Sequence, residues 1–350
     1  MKTQIIKINK FDDEAAANIK KASEIIKNGG LVVFPTETVY GLGGDATNPK
    51  AANSIYAAKG RPSDNPLIIH ISEPDEAEKY TVTNPVYYRL AELFMPGPIT
   101  VVLPAKETVP PETRGGLSTV AVRCPLNAVA RMLIRESAVP IAAPSANLSG
   151  SPSPTKASHV IDDMMGRVDM IIDGGDSDYG IESTIVKIEN DGELTLLRPG
   201  RITLDDLRAE FPKVTVAAAV TEALGKDELA LSPGMKYRHY APKSPLYLLD
   251  GEDSLRIEYL KEQGLKKSIA VICYDDDKEL IEQLTDKCSI YRFGKRNDEL
   301  TQAQRLFDIL READKRSFDE IYAPLPSTDG VGLALYNRMI RAAAHHIIRL

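Results

Sequence analysis

Residues 31–71, LVVFPTETVYGLGGDATNPKAANSIYAAKGRPSDNPLIIHI, constrain the fold of this chain more than any other stretch. The apolar run 31–34 is short enough for a buried strand, and Pro35 ends it by fixing φ and removing a donor. Thr36-Glu37-Thr38 and Tyr40 lead into Gly41, Gly43 and Gly44, which read as a glycine turn. Asn48 caps a helix whose first turn carries Pro49, and Ala51, Ala52, Ile55, Tyr56 and Ala58 keep helical spacing. Gly60 and Pro62 stop that helix, leaving Lys59 and Arg61 on a loop. A second apolar run, 67–71, follows Pro66. Two strand ends, a glycine turn and two cations so close together are the arrangement of an anion site on an α/β sheet.

The rest of the chain continues the alternation. The spacing predicts helices over 13–27, 85–94 and 128–136, and another from Ser153-Pro154 to about 165. Strands are expected at 99–103, 119–123, 139–143, 170–172, 184–188 and 194–197. At 212 the texture changes: 213–231 is alanine-rich without apolar periodicity, and SPGMKYRHYAP follows at 232–242. These observations predict a domain over 1–211, a linker over 212–244 and a second domain over 245–350, which the length of 350 residues accommodates. In the last domain, strands at 246–249, 268–274, 289–292 and 319–323 alternate with helices at 253–263, 277–284, 298–315 and 332–348. That pattern predicts a small, parallel, doubly wound sheet.

Composition excludes several classes. Apolar content of 43% suffices for a real core, and there is no run of 18 apolar residues that would span a membrane. The first residues lack a signal-peptide core, so a cytoplasmic location is expected. Cys124, Cys273 and Cys288 are too scattered for a disulfide framework or a zinc cluster. A net charge of −7 argues against broad nucleic-acid binding, though not against one polyanionic ligand in a locally basic cleft. None of the histidines (His70, His159, His239, His345, His346) has metal-ligand spacing, and His345-His346 reads as a solvated helix end. G-x-S-x-G, H-E-x-x-H and the P-loop pattern are absent.

Each remaining motif has two readings. Lys59 and Arg61 can clamp a triphosphate or offset the helix dipole. Gly41 to Ala46 satisfies G-x-G-x-x-A, but six residues separate it from Phe34, so a close-approach turn is favoured over a dinucleotide fingerprint. Pro144-Ser145-Ala146-Asn147, just past a strand, offers neutral donors and acceptors to a ligand or to its own turn. Ser183 enters a strand and Arg198 leaves the next; as a pair they suit a substrate and a phosphate, or ordinary hairpin polarity. Arg123 ends another strand, where it can hold a carboxylate or a surface ion pair.

Taken together, FPTETVYGLG, KGRP followed by NPL, APSAN, ESTI and LRPG, in this order, resemble the threonylcarbamoyl-AMP synthases across essentially the whole chain. SPGMKYRHYAP followed by a βα domain resembles their long, two-domain form. The resemblance implies a YrdC-like α/β fold with a twisted open sheet and a concave basic cleft, followed by a smaller doubly wound, Rossmann-like α/β domain. It implies nucleotidyl transfer: L-threonine, bicarbonate (or CO2) and ATP give L-threonylcarbamoyl-AMP and pyrophosphate. Mg2+ is expected with the ATP, and no other metal. The product is expected to pass to a separate tRNA-modifying complex that makes threonylcarbamoyladenosine.

The resemblance also implies roles. Lys59 and Arg61 hold the phosphates as the catalytic cations. Asn65, Thr119, Ser145, Ser153 and Arg198 contact ATP, with Asn147 supporting the loop. Thr38, His70, Arg123, Ala143 through its backbone, and Ser183 hold L-threonine. The segment 232–242 is expected to act as a lid whose Tyr237, His239 and Tyr240 reach the nucleotide, shielding a hydrolysable anhydride. Two rivals make different predictions: an RNA-binding protein would show a steep salt slope without ATP turnover, and a nicotinamide dehydrogenase would release no pyrophosphate.

Overall fold

The computed structural model describes residues 2–189, 191–222, 239–284 and 288–350. Among these, the chain divides into two compact units. The first holds the residues up to 222 except 150–152; the second holds 150–152 and everything from 239 onward.

The first unit is built on one sheet. Its strands are β1 (Gln4–Lys7), β2 (Val32–Phe34), β3 (Gly41–Asp45), β4 (Ile68–His70), β5 (Ile99–Pro104), β6 (Thr119–Arg123), β7 (Ile141–Ala142), β8 (Met170–Asp173), β9 (Thr184–Ile188), β10 (Leu194–Arg198) and β11 (Val214–Val216). Their order is β1-β8-β2-β3-β7-β4-β6-β5-β9-β10-β11. The sheet is mixed: β8 runs parallel to β1 and β2, and β4 to β6, while β3 and β7 are antiparallel to their neighbours. The helices are α1 (Asp13–Lys27), α2 (Pro49–Lys59), α3 (Pro85–Phe94), α4 (Pro111–Arg114), α5 (Ala128–Ser137), α6 (Ala157–Met164) and α7 (Leu204–Glu210). Asp12 starts α1 by accepting from the Ala15 N–H. Its Ile19, Ala22 and Ile26 then pack with Leu133 of α5 over Val32, Phe34 and Ile172.

The glycines expected to form a turn form strand β3 instead. A Cβ on Gly43 would meet Phe34 Cε1 at 2.7 Å and Ile141 Cγ2 at 2.8 Å; one on Gly44 would meet Ile55 Cδ1 at 3.2 Å. Glycine here lets Phe34, Ile141 and Ile55 close against the strand backbone, and the segment is a strand where a dinucleotide fingerprint would have a turn. Gly43→Ala is expected to cost about 1–3 kcal/mol through overpacking, read as a lower urea midpoint with an unchanged slope.

Two further expectations shift. Ser153 does not cap a helix: its hydroxyl donates to Glu182 Oε1 at 2.5 Å, and α6 begins only after Lys156. Residues placed in the linker belong to the first sheet, since Val214–Val216 pairs in parallel with β10. A three-residue edge strand leaves almost no periodicity to read.

In the second unit, β12 (Leu246–Asp250), β13 (Ile269–Cys273), β14 (Ser289–Arg292), β15 (Glu320–Pro324) and β16 (Ile347–Arg349) are ordered β14-β13-β15-β12-β16. All neighbours are parallel. The connecting helices are α8 (Asp253–Gly264), α9 (Lys278–Leu284), α10 (Glu299–Ala313) and α11 (Gly332–Ala342). The helix expected over 332–348 stops at Ala342, because Ala344 and His345 take left-handed φ values of 48° and 63°. The chain then turns into β16; His346 is exposed as expected but lies beyond the helix, its ring stacked on Tyr247 at 5.5 Å. Among the described residues no helix is long and apolar enough to cross a membrane.

Candidate active site

Strand register gathers the expected ligand contacts on one face of the first sheet. Side chains alternate along a strand, so Thr119, Ala121 and Arg123 share a face of β6. The pairs Ile68–Ala121 and His70–Arg123 bring His70 of β4 to the same face. Val102 of β5 pairs with Ala121 and Thr100 with Ile185 of β9, which carries Thr100 and Ser183 there as well. Arg198 arrives by a different device. The pairing of β9 and β10 slips between Leu196 and Arg198, setting Arg198 opposite Ile185. A bulge of this kind re-aims a side chain. Arg198 then donates to Ser183 Oγ at 3.1 Å through Nη2 and to the Ser183 carbonyl at 3.0 Å through Nε. Thr100 completes the trio, its hydroxyl 2.8 Å from that of Ser183. Ile68, Val102, Ala121, Ile185 and Leu197 form the apolar floor between these groups.

Lys59 ends α2, where Gly60 adopts φ 62° and turns the chain away. The ammonium does not fold back on its own helix. It is buried, and donates to the carbonyls of Ser145 at 2.5 Å and Asn147 at 2.6 Å, with Asn147 Oδ1 at 3.4 Å. The Ser145 hydroxyl donates to the same Oδ1 at 2.6 Å, and the Ser149 N–H returns to the Lys59 carbonyl at 2.9 Å. Three donors on one ammonium thus hold the loop after β7, which is also bridged to β3 through Gly41 and Ser145. Arg61 grips the next loop, its Nη2 donating to the carbonyls of Asn65 at 3.2 Å and Pro66 at 3.1 Å. Among the described residues Asn65 Oδ1 is buried there without a hydrogen-bond partner, which costs free energy unless a ligand supplies a donor.

Arg123 and Glu37 form a buried ion pair, Nη2 to Oε1 at 2.6 Å, with side chains 5% and 1% exposed. Glu37 Oε2 accepts from the N–H groups of Leu126 at 3.1 Å and Asn127 at 3.3 Å, at the start of α5. Removing either partner would leave an uncompensated buried charge. Sequence reasoning quoted Glu37 inside FPTETVYGLG without giving it a role. The available signal was an acid between two threonines just past a buried strand. Arg123 Nε is buried and has no hydrogen-bond partner among the described residues. The guanidinium is thereby oriented by one carboxylate while a donor is left over for another.

His70 lies beside Arg123 and is buried. Burial first, and the Arg123 charge second, push its pKa down to about 3. It is therefore neutral at neutral pH. Its Nδ1 is 3.2 Å from the Ile68 carbonyl, and the Ile141 backbone also hydrogen-bonds the ring. The folded value lies below the ordinary 6.5, so the stability from keeping this ring neutral is complete above pH 6.5. It is lost as pH falls towards 3, at up to about 1.4 kcal/mol per pH unit. His70→Asn is expected to flatten that acid limb, measured as the urea midpoint from pH 7 to pH 4.

The other expected residues fall as follows. Thr38 is fully buried with its hydroxyl 2.9 Å from that of Thr36. The Ala143 N–H is tied to the Ile68 carbonyl at 2.9 Å. Thr119 is half-buried at the head of β6. Glu182, which holds Ser153, is a second acid that sequence reasoning passed over. Tyr237 and most of the expected lid lie outside the described residues. His239 and Tyr240 belong to the second unit, where the Tyr240 ring stacks on Phe307 at 5.2 Å.

Among the described residues, no group of three or more His, Cys, Asp or Glu side chains could hold a metal ion. A Mg2+ bound mainly through nucleotide phosphates needs no such group.

Comparison with known proteins agrees with this geometry. Residues 24–200 match the family described as telomere recombination, and residues 202–344 match the threonylcarbamoyl-AMP synthase C-terminal domain. The threonylcarbamoyl-AMP synthase of Bacillus subtilis (strain 168) is 41% identical, over 96% of this chain and 97% of its own length. That of Pyrococcus abyssi (strain GE5 / Orsay) is also 41% identical, over 95% and 96%. A crystal structure of the P. abyssi protein complexed with L-threonine aligns with a TM-score of 0.88 at 39% identity, covering 99% of this chain and 100% of that one. The two-unit α/β architecture expected from the motifs is the architecture found, and this chain belongs to the threonylcarbamoyl-AMP synthase family.

Proposed function

We propose that this chain is an L-threonylcarbamoyladenylate synthase, a nucleotidyltransferase that makes threonylcarbamoyl-AMP and pyrophosphate from L-threonine, bicarbonate and ATP. The observation that carries the substrate assignment is the buried, pre-oriented Arg123 with its spare donor beside a neutral imidazole. Arg123 takes the threonine carboxylate, the strongest partner for a guanidinium. His70, Thr38, Ser183 and the Ala143 backbone complete the amino-acid contacts.

Carboxylation of the threonine amine gives a carbamate that is already an anionic nucleophile, so no activated serine or cysteine is required. A carbamate oxygen forms the new bond to the α-phosphorus; the bond from that phosphorus to the bridging oxygen breaks, and pyrophosphate leaves. The difficulty is bringing two anions together, and fixed positive charge is the usual remedy. Lys59 and Arg61 supply it. Lys59 does so while shaping the Ser145–Asn147 loop, so its charge and the loop's donors are set together. Asn65, Thr119, Ser145, Ser153 and Arg198 contact the nucleotide, and Asn147 holds the loop. The unsatisfied Asn65 Oδ1 supports a donor from the ligand at that point. Tyr237, His239 and Tyr240 are assigned to the nucleotide on the resemblance alone. Mg2+ is assigned to the triphosphate it accompanies, and the adenylate to a tRNA-modifying complex that accepts it.

The deciding assay is pyrophosphate release from ATP with and without L-threonine plus bicarbonate. Release that depends on both, with the adenylate recovered, is the expected result; release independent of threonine sinks the proposal.

A further inference from the structure

The second unit contains a cavity of about 610 Å3, within the range of about 300–1,000 Å3 usual for small-molecule sites. It lies where the winding of the sheet reverses. From β13 the chain passes through α9 to β14 on one side; from β15 it passes through α11 to β16 on the other. Tyr274, just after β13, and the loop after β15 both line the cavity. Open α/β sheets take ligands at such a reversal, outside the carboxyl ends of the strands.

The usual occupant, a phosphate, is opposed here by the chain's own acids. Glu299 Oε2 accepts from the Gly332 N–H at 2.8 Å, at the start of α11, and its Oε1 accepts from the Ser327 hydroxyl at 3.0 Å. Asp298 caps α10 through the Thr301 N–H at 3.1 Å. An entering anion would meet carboxylates where a phosphate site presents helix N–H groups.

Three groups on the cavity wall remain unspent. Tyr274 is only 6% exposed, and its hydroxyl has no hydrogen-bond partner among the described residues. The Arg296 guanidinium carbon sits 4.7 Å from that ring's centroid. Arg296 spends Nη2 on Asp253 at 2.9 Å and on Asp277, while Nη1 has no partner among the described residues. Asp329 is exposed on the loop after β15, again without a partner among them. Leu300 and Val331 add apolar surface.

We propose that this cavity binds a free α-amino acid as a zwitterion. Arg296 Nη1 and the Tyr274 hydroxyl take the carboxylate, Asp329 takes the ammonium, and the side chain rests on Leu300 and Val331. One cationic donor set, one carboxylate not committed to the protein's own donors and an apolar patch in a single cavity match that ligand class, and its single carboxylate needs far less positive charge than a phosphate.

The test is equilibrium dialysis of the full-length protein against each protein amino acid other than L-threonine, with inorganic phosphate and adenosine as separate arms. At least one amino acid is expected to be retained at one per chain with Kd below about 1 mM. Asp329→Asn and Tyr274→Phe are each expected to weaken retention at least about tenfold, ~1.4 kcal/mol. Both variants should keep wild-type pyrophosphate release, which shows that they are folded. Retention of no amino acid, retention that either variant leaves unchanged, or phosphate or adenosine binding that the variants abolish would each overturn the proposal.

Discussion

Lys59→Met is expected to lower threonine-dependent pyrophosphate release by about two to three orders of magnitude, the usual loss when one preorganised charge is removed from a developing anion. Two effects add in the same direction. The positive charge beside the phosphates disappears, and the carbonyls of Ser145 and Asn147 lose the buried donor that holds their loop. The second effect also costs stability, about 1–3 kcal/mol for each acceptor left buried and unpaired. Rates should therefore be taken well below the unfolding midpoint, with the folded fraction checked by circular dichroism. Arg61→Ala provides the contrast. Arg61 holds the 62–66 loop, so its loss is expected to raise KM for ATP while leaving the Ser145–Asn147 loop intact. Turnover of Lys59→Met within about threefold of wild type would remove Lys59 from the catalytic set.

Glu37→Ala is expected to be the most damaging change among the residues without an assigned ligand contact. It strands the Arg123 charge in the interior, and breaking a buried pair from one side typically costs about 3–5 kcal/mol. It also frees the donors of Leu126 and Asn127 and lets the guanidinium turn. The KM for L-threonine should rise at least about tenfold, since an arginine fork discriminates by orientation as well as charge. The double variant Glu37→Ala with Arg123→Met separates the two consequences. With no stranded charge left it should recover much of the lost stability, yet bind threonine no better. A double variant as unstable as Glu37→Ala alone would show that Glu37 acts through packing instead.

Particular residues show how far the sequence carried. Helix α2 and the βα alternation of the second unit were legible, because capping residues and local period are properties of neighbouring residues; the grouping of Lys59 with Ser145 and Asn147 came from the family resemblance alone. Gly41, Gly43 and Gly44 were misread as a turn because the reason for glycine lies in Phe34 and Ile141, which reach β3 from other strands. Ser153-Pro154 had the look of a helix start, but the serine was committed to Glu182, 29 residues away. The end of α11 was hidden for a similar reason: Ile347 and Ile348 fit a helical stripe as well as they fit beside Leu248 and Leu249. Glu37 was in view and unassigned, since nothing local says that its partner is Arg123. The cavity beside Tyr274 is a product of strand order, which no single segment encodes.

The slipped pairing between Leu196 and Arg198 also makes chain length at this point matter as much as residue type. Deleting Leu197 would remove the extra residue and leave the following guanidinium opposite Ile185, on the same face of the sheet but without the local bend and twist that the slip gives the strand. Descendants of this gene can exchange one aliphatic residue for another in that strand with little consequence. An in-frame loss of a single codon there would change the aim of that guanidinium towards Ser183 and not its side of the sheet, while leaving composition, charge and hydrophobicity almost untouched.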